Sequence, residues 1–290
     1  MTHMNHRSDD RPDRPQASTD HAVLTNAYTD GQPLTARQRL YDHQTPRYDL
    51  PSMVLEQIGD RAGMWLDVGC GNGYHLHRIR AQRPDVQVIG LDLSADLLIE
   101  LGGAVLRADA AHLPLRTGRV QVVLMMHMLY HVTEPDRALA EAARVLEPDG
   151  VLIASTNSRA DKTELDDWWA QAAADVLGNP TGPKRVKLSD HFPAETATAA
   201  VAAHFNKVTM IDLDGVIEVD TPDPILAHYA SYRAWAHQTD VPFEATLEQV
   251  GHLLHAKLED GPLRINTRQV MVVGSHPLEH GSPSKGPTPT

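Results

Sequence analysis

The stretch Trp65-Leu66-Asp67-Val68-Gly69-Cys70-Gly71-Asn72-Gly73-Tyr74 decides the fold of this chain. Its apolar first half predicts a buried strand, and its three glycines predict a tight turn that leads directly into a helix. Because glycine has no Cβ, the backbone there can adopt positive φ, and a ligand can approach it closely. A strand, a glycine turn and a helix start in this order are typical of open α/β sheets that bind nucleotide-like ligands.

The glycine spacing distinguishes two kinds of nucleotide site. A dinucleotide fingerprint requires G-x-G-x-x-G, and its third glycine would fall on Tyr74. The spacing here is instead G-x-G-x-G, at Gly69, Gly71 and Gly73, with Asp67 just before it. This pattern resembles motif I of the class I methyltransferases that depend on S-adenosylmethionine (SAM). SAM carries an ammonium and a sulfonium and has no pyrophosphate, so an acid at the strand end suits it.

Strands and helices alternate on both sides of this turn. The sequence predicts strands near 64–68, 86–91, 105–106, 120–126 and 151–154, and helices near 50–59, after 73, at 95–101 and at 135–146. Such alternation predicts a parallel sheet with helices on both faces. The resemblance implies an α/β fold with a Rossmann-like doubly wound seven-stranded sheet. That sheet would be mostly parallel with an antiparallel last strand, and it would carry helical cap insertions.

The chain divides into six predicted segments. Residues 1–20 and 277–290 are rich in Pro, Ser, Asp and Gly, and we expect disordered tails there. Residues 21–62 form a helical lead-in, and residues 63–157 form the SAM-binding core, with a turn at Pro148-Asp149-Gly150. Residues 158–204 form a helical cap segment. Residues 205–276 supply strands near 207–213 and 265–273, with two helices between them.

Two downstream acids complete the predicted cofactor site. Asp92 ends a predicted strand 19 residues after Gly73, and an acid at about this distance accepts hydrogen bonds from ribose hydroxyls in nucleotide-binding sheets. The resemblance also assigns Leu93 to the cofactor site. In the family, the acid at the position of Asp109 accepts a hydrogen bond from the adenine amino group. The backbone N–H at the position of Ala110 then meets a ring nitrogen.

The segment Met125-Met126-His127-Met128-Leu129-Tyr130-His131 follows the fourth predicted strand, where the family places the methyl-donating end of SAM. We predict that Met126 contacts the cofactor. His127 and His131 are the candidate catalytic residues, because imidazole titrates close to neutral pH and can accept a proton from the acceptor. A purely structural role for either histidine stays open. The H-x-x-x-H spacing has no zincin glutamate and no evident third ligand, so we predict no metal site.

Two further groups of residues are weaker candidates. In the family, the lead-in often closes over SAM, and Arg47 is the cation that we predict to pair with the SAM carboxylate; the alternative is a surface charge. Aromatic side chains of the cap are more often core than substrate platform. They are Trp168, Trp169, His191, Tyr229, Tyr232 and Trp235.

Composition restricts the partners. The 26 basic and 38 acidic residues give a net charge of −12, which argues against a nucleic-acid substrate. The single cysteine, Cys70, excludes an internal disulfide and fits a reducing compartment. No apolar run reaches the ~18–20 residues of a membrane span, and no secretory signal opens the chain. We therefore expect a cytoplasmic protein, a monomer or homodimer, with a small-molecule substrate and no membrane partner. Abundant arginine and alanine indicate a bacterial source.

The sequence therefore predicts a SAM-dependent methyltransferase (EC 2.1.1.-) that releases S-adenosyl-L-homocysteine. The closest branch resembles the small-molecule enzymes of quinone-biosynthesis type, with domains like methyltransferase domain 11. That branch usually has Asp where this chain has Gln121, on the side away from the site. Two alternatives remain: an RNA or protein methyltransferase, which a groove lined by Lys184, Arg185 and Lys187 would favour, and a SAM-binding protein that transfers no methyl. The choice among O-, N- and C-methylation stays open, as does a role in specialised metabolism.

Overall fold

The computed structural model describes residues 31–278 and five residues before them, namely Thr19, Val23, Leu24, Ala27 and Tyr28. The predicted disordered tails, 1–20 and 277–290, lie outside the described residues apart from Thr19, Pro277 and Leu278. Pro277 ends a strand, so the C-terminal tail was predicted to begin too early. In the part of the chain that the structure describes, every helix is too short or too polar to cross a lipid bilayer.

Ten strands lie along residues 31–278. They are β1 (Gln44–Thr45), β2 (Met64–Val68), β3 (Gln87–Asp92), β4 (Val105–Arg107), β5 (Val120–Met126), β6 (Leu146–Asn157), β7 (Phe205–Asp212), β8 (Gly215–Val219), β9 (Leu263–Thr267) and β10 (Gln269–Pro277). Seven of them form one sheet in the order β4-β3-β2-β5-β6-β10-β7. Only β10 runs opposite to the other six strands of this sheet, so the predicted mostly parallel sheet with an antiparallel last strand is confirmed.

Nine α-helices cover the same residues. They are α1 (Gln32–Leu40), α2 (Leu50–Ile58), α3 (Tyr74–Gln82), α4 (Ala95–Leu101), α5 (Pro135–Val145), α6 (Thr163–Leu177), α7 (Ala194–Ala202), α8 (Asp223–Ala230) and α9 (Phe243–Leu258). Helices α2, α3 and α4 pack on one face of the seven-stranded sheet, and α5 and α7 pack on the other. Burial of apolar residues on both sheet faces produces the predicted doubly wound architecture.

A second, smaller sheet was not predicted. Strands β1, β8 and β9 pair antiparallel in the order β1-β8-β9. Side chains from this sheet and from α1, α6, α8 and α9 share one buried apolar cluster that includes Trp169, Ile217 and Tyr229. The predicted helical cap is therefore a mixed one, and the lead-in contributes one of its strands.

The predicted single strand at 265–273 is wrong, because the chain changes sheets at Arg268. β9 ends at Thr267 in the small sheet, and β10 begins at Gln269 in the large one. The backbone of Arg268 bonds to neither sheet there. Its N–H donates to Asp161 Oδ1 at 2.8 Å, and its carbonyl accepts from the Ser158 N–H at 2.9 Å.

The predicted turn at Pro148-Asp149-Gly150 is also wrong. These residues lie inside β6, where they form a bulge against β5. Val120 pairs with Leu146 and Val122 pairs with Val151, so four residues of β6 lie opposite Gln121. The Gln121 side chain donates a hydrogen bond to Glu147 in this bulge, at the amino end of β5.

Candidate active site

The glycine turn between β2 and α3 has the backbone that its sequence predicts. Gly69, Gly71 and Gly73 have φ of 70°, 54° and 76°. A Cβ added to Gly69 would lie 2.7 Å from the Cβ of Met128, so only glycine fits between the turn and the segment after β5. The turn is fixed to β3, because the N–H groups of Gly69 and Cys70 both donate to the Leu91 carbonyl, at 2.7 and 2.9 Å.

A cavity of about 790 Å³ lies at the carboxyl ends of the parallel strands, where open α/β sheets bind their ligands. Its volume lies within the ~300–1,000 Å³ that is usual for small-molecule sites. Ten of the twelve predicted site residues line it. They are Asp67, Gly69, Gly71, Asp92, Leu93, Asp109, Ala110, Met126, His127 and His131.

Gly73 and Arg47 do not line the cavity. Gly73 lies in the left-handed region at the start of α3 and shapes the turn. Arg47 was predicted to reach the cofactor, but its side chain is 70% exposed and pairs with Asp42 at 2.7 Å. Helix α1 closes over the turn in its place, since Asn72 Nδ2 donates to Gln38 Oε1 at 3.0 Å and to Thr35 Oγ1 at 3.2 Å.

Asp92 is held against the glycine turn. Its Oδ2 accepts the Gly71 N–H at 2.9 Å, and its Oδ1 accepts the Ser94 N–H at 2.9 Å. Burial raises the pKa of Asp92, and these N–H donors oppose that rise. A carboxylate has about four lone-pair sites, so two remain for hydroxyl donors from a ligand.

Asp67 is a buried acid with an unsatisfied oxygen. Its Oδ2 has no hydrogen-bond partner, and the residue is 2% exposed. Burial, followed by the negative charge of Asp92, raises the pKa of Asp67 to about 7. A ligand cation beside it would satisfy this oxygen and favour the ionised form. The acid, the turn and Asp92 therefore fit a cationic nucleoside such as SAM.

Asp109 lies farther along the same cavity, after β4. Its Oδ1 accepts the Ala111 N–H at 2.9 Å, and its Oδ2 is 3.6 Å from His112 Nδ1. The side chain is half exposed, whereas Ala110 is buried. The carboxylate is therefore fixed by its own loop and keeps lone pairs for a ligand.

The two candidate catalytic histidines do not share a helical face. His127 has a left-handed backbone with a φ of 51° and precedes the 3₁₀ turn Leu129–His131, so the two histidines do not lie on one continuous helix. Burial and the charge of Lys162 lower the pKa of His127 to about 4, so its imidazole is neutral at pH 7. The Nε2 of His131 is 2.8 Å from the Tyr28 hydroxyl. Within the described ranges, no three His, Cys, Asp or Glu side chains are grouped to hold a metal ion.

One part of the cavity, which we call the inner chamber, is lined by side chains of the lead-in and the cap. Seven polar side chains line it: Tyr28, Arg37, Tyr41, Lys162, Arg185, His228 and Tyr232. Sequence reasoning did not assign them to the site, because they come from separate segments and form no motif. The one available signal was the predicted cap, and of its six aromatic candidates only Tyr232 lines the cavity.

The basic run at 184–187 does not form the groove that would favour a macromolecular substrate. Arg185 Nε lies 2.8 Å from Asp166 Oδ1, with both side chains almost fully buried. Lys187 Nζ lies 3.1 Å from the other oxygen of Asp166. Only Lys184 is well exposed, and it pairs with Asp167 at 3.3 Å.

Comparison with known proteins agrees with this geometry. The family model described as a methyltransferase domain matches residues 66–154, which contain the glycine turn, Asp92, Asp109 and the segment after β5. Residues 66–154 therefore form a domain that is similar to those of the class I SAM-dependent methyltransferases. The match includes β3, β4 and β5 and most of β2 and β6, whereas the lead-in and the cap of this chain lie outside it.

Individual relatives are similar over part of their length. The chain is 29% identical to the malonyl-[acyl-carrier protein] O-methyltransferase of Laribacter hongkongensis, over 44% of this chain and 52% of that protein. It is 32% identical to the ubiquinone biosynthesis O-methyltransferase of Rhodopseudomonas palustris, over 50% of this chain and 57% of that protein. The chain therefore spans about half the length of the curated relatives that it matches.

A solved structure supports the fold. The phosphoethanolamine N-methyltransferase 2 of Haemonchus contortus, in complex with phosphomonomethylethanolamine and S-adenosylhomocysteine, superposes with a TM-score of 0.51. The alignment covers 88% of this chain and 59% of that chain at 15% identity.

Proposed function

We propose that this protein transfers the methyl group of SAM to a small organic acceptor and releases S-adenosylhomocysteine. The observation that carries the proposal is the convergence on one cavity of the glycine turn, a buried acid with a free oxygen, and two acids on the following strand ends. The family match agrees with this assignment of the cofactor.

Each residue of the cofactor end has a role in this proposal. The free lone pairs of Asp92 take the ribose hydroxyls, and Asp109 with the Ala110 N–H takes the adenine edge. Asp67 takes the ammonium group, and Gly69 and Gly71 let the backbone approach closely. Leu93 and Met126 supply apolar contact.

In the transfer, the protein orients the reacting atoms and excludes water from them. Bound SAM supplies a methyl group on a sulfonium that is already an activated leaving group. Orientation of the reacting atoms can contribute up to about 7–11 kcal/mol. The inner chamber, which is lined by side chains of the lead-in and cap, surrounds the acceptor. His127 lines the same cavity and, being neutral at pH 7, can accept a proton there.

Two observations favour a small acceptor that is methylated on oxygen. The inner chamber is lined by buried and half-buried side chains of the lead-in and cap, and a large nucleic acid or protein surface would not reach the buried ones without displacing the cap. The names of both curated relatives given above describe O-methyltransferases. We propose that no nucleic acid and no membrane takes part, and that the protein works as a monomer or homodimer.

Binding of S-adenosylhomocysteine tests the cofactor site. Asp92→Ala should weaken its affinity, measured by isothermal titration calorimetry, by about tenfold or more, because hydrogen bonds to charged groups contribute about 1.5–3 kcal/mol each. Asp60→Ala is the matched control, since Asp60 is exposed in the turn after α2. Circular dichroism establishes that both variants are folded. Unchanged affinity in folded Asp92→Ala would refute this role.

Methyl transfer needs a separate measurement. Wild-type protein is incubated with SAM and a panel of small oxygen, nitrogen and carbon acceptors, and the release of S-adenosylhomocysteine is followed. Release that depends on an acceptor supports the proposal. Tight SAM binding without release, over a panel that includes RNA and protein extracts, would instead identify a SAM-binding protein that transfers no methyl.

A further inference from the structure

The inner chamber carries more positive charge than the rest of the molecule would suggest. The whole chain has a net charge of −12, yet Arg37, Lys162 and Arg185 all line this part of the cavity. Arg37 and Arg185 lie against the same ring, with their guanidinium carbons 5.3 and 5.6 Å from the ring centroid of Tyr232. Charged groups in such a low-dielectric space require compensation, either from the protein or from a ligand.

Two of these cations are compensated within the protein. Lys162 bonds to Asp161 beside it, and both side chains are buried. Arg185 pairs with Asp166 at 2.8 Å. Lys187, at the edge of the same group, lies 3.1 Å from Asp166 and also close enough to Asp190 to oppose the rise in its pKa.

Arg37 differs from them. Its Nη1 donates to the Tyr28 hydroxyl at 3.2 Å, and its Nε donates to the Pro33 carbonyl at 3.3 Å. Its Nη2 is buried without a hydrogen-bond partner. In the part of the chain that the structure describes, no carboxylate pairs with it. Its guanidinium instead lies against aromatic rings, with Cζ 5.2 Å from the Tyr28 ring centroid and 5.3 Å from that of Tyr232.

His228 provides a second unsatisfied group on the same wall. The residue is 2% exposed, and neither of its ring nitrogens has a hydrogen-bond partner. Its ring centroid lies 5.3 Å from that of Tyr232, which connects it to Arg37. A neutral imidazole keeps one N–H that can donate to an anion.

We propose that the methyl acceptor is a small carboxylic acid, bound in the inner chamber through a carboxylate that accepts a hydrogen bond from Arg37 Nη2. One uncompensated guanidinium matches one negative charge, and hydrogen bonds between charged groups are about twice as strong as neutral ones. His228 adds a donor on the same wall. Arg37 thus determines specificity for an anionic acceptor. This inference rests on the proposed function, since it concerns the acceptor of that same reaction.

Benzoate and benzamide form a matched pair of probes, because they share one shape and differ in charge. Both are titrated by calorimetry into full-length protein saturated with S-adenosylhomocysteine. We expect benzoate to bind at least about tenfold more tightly than benzamide. Arg37→Met should reduce benzoate affinity by about tenfold or more and leave the affinity for S-adenosylhomocysteine within about twofold. Arg47→Met is the control, since Arg47 lies outside the cavity, and it should change neither affinity.

Several outcomes would overturn the inference. They are no benzoate binding to the loaded wild type, equal binding of benzamide, unchanged benzoate binding in Arg37→Met, and tighter binding of phenyl phosphate than of benzoate. Should Arg37→Met fail to fold, Arg37→Gln keeps the polar shape without the charge, and the same loss is expected. Absence of S-adenosylhomocysteine binding would refute the proposed function instead, so the two failures are distinguishable.

Discussion

At the residue scale, Asp67 connects the ionisation of the free protein to cofactor binding. Its pKa of about 7 means that the carboxyl is largely protonated at pH 6 and largely ionised at pH 7.5. An ammonium group binds the ionised form, so binding releases a proton below pH 7. We predict that the affinity for S-adenosylhomocysteine rises by about a factor of eight from pH 6 to pH 7.5.

The matched variant is Asp67→Asn, which removes the titrating group and keeps a side chain of the same shape. Its affinity should be lower than that of the wild type at pH 7.5 and should hardly change between the two pH values. Asp60→Asn should keep the full pH dependence. Calorimetry in two buffers of different ionisation enthalpy also measures the released proton, and a wild-type affinity that is flat with pH would contradict the assignment.

The cofactor end of the site was predictable residue by residue, whereas the inner chamber was not. Asp67 and Asp92 lie at the carboxyl ends of β2 and β3, and Asp109 lies two residues after β4, so the carboxyl edge of a parallel sheet brings them together. Arg37 and His228 have no such constraint, because the packing of the lead-in on the cap brings them into the cavity. Arg47 lies outside the cavity for the same reason, since the lead-in turns it to the surface beside Asp42.

At the scale of elements, the glycine turn after β2 and the segment after β5 fit together only without a side chain at position 69. Gly69 has a φ of 70°, and its added Cβ would meet the Met128 Cβ at 2.7 Å. Gly118 has a similar φ of 65° but nothing within 4 Å of an added Cβ. Alanine substitutions at Gly69 and Gly118 can therefore distinguish the cost of backbone strain from the cost of a steric clash.

We predict that Gly118→Ala lowers the free energy of unfolding by about 1–2 kcal/mol, the cost of a left-handed alanine. Gly69→Ala should lower it by at least about 1–3 kcal/mol more, because the clash forces the two segments apart. Urea denaturation monitored by fluorescence measures both. Equal losses in the two variants would show that the turn does not pack on Met128 as described.

Sequence periodicity predicted the elements of the large sheet well, because each strand is local, apolar and bounded by turn residues. It failed where pairing is non-local. β1 has only two residues, and its partner β8 lies about 170 residues away. At 263–277 the apolar pattern continues through Arg268, and only the bonds of that residue to the 158–161 segment make the chain change sheets.

At the scale of the whole molecule, the burial of ionisable groups controls stability in acid. Burial lowers the pKa of His75 to about 3, that of His127 to about 4 and that of His228 well below its ordinary value. Asp67 has the opposite shift, to about 7. Between pH 5 and 6 the folded protein therefore keeps three neutral histidines and one protonated aspartate.

Unfolding in this range changes all four protonation states. The three histidines gain protons, since their unfolded pKa is about 6.5, and the aspartate loses one, since its unfolded pKa is about 3.9. The net uptake approaches two protons, so these groups make the free energy of unfolding fall as the pH falls below about 6. The slope approaches about 3 kcal/mol per pH unit, at 1.36 kcal/mol per proton.

Denaturant unfolding at pH 5.0, 5.5 and 6.0 measures this slope, and one substitution isolates a single proton. His228→Asn should reduce the slope by about 1 kcal/mol per pH unit, because it removes one buried neutral imidazole. His255→Asn, on the exposed face of α9, should leave it unchanged. A wild-type stability that is constant or rises on acidification would mean that these histidines are hydrated in the folded state, and the inner chamber would then lack the dry environment on which the recognition of a carboxylate by Arg37 depends.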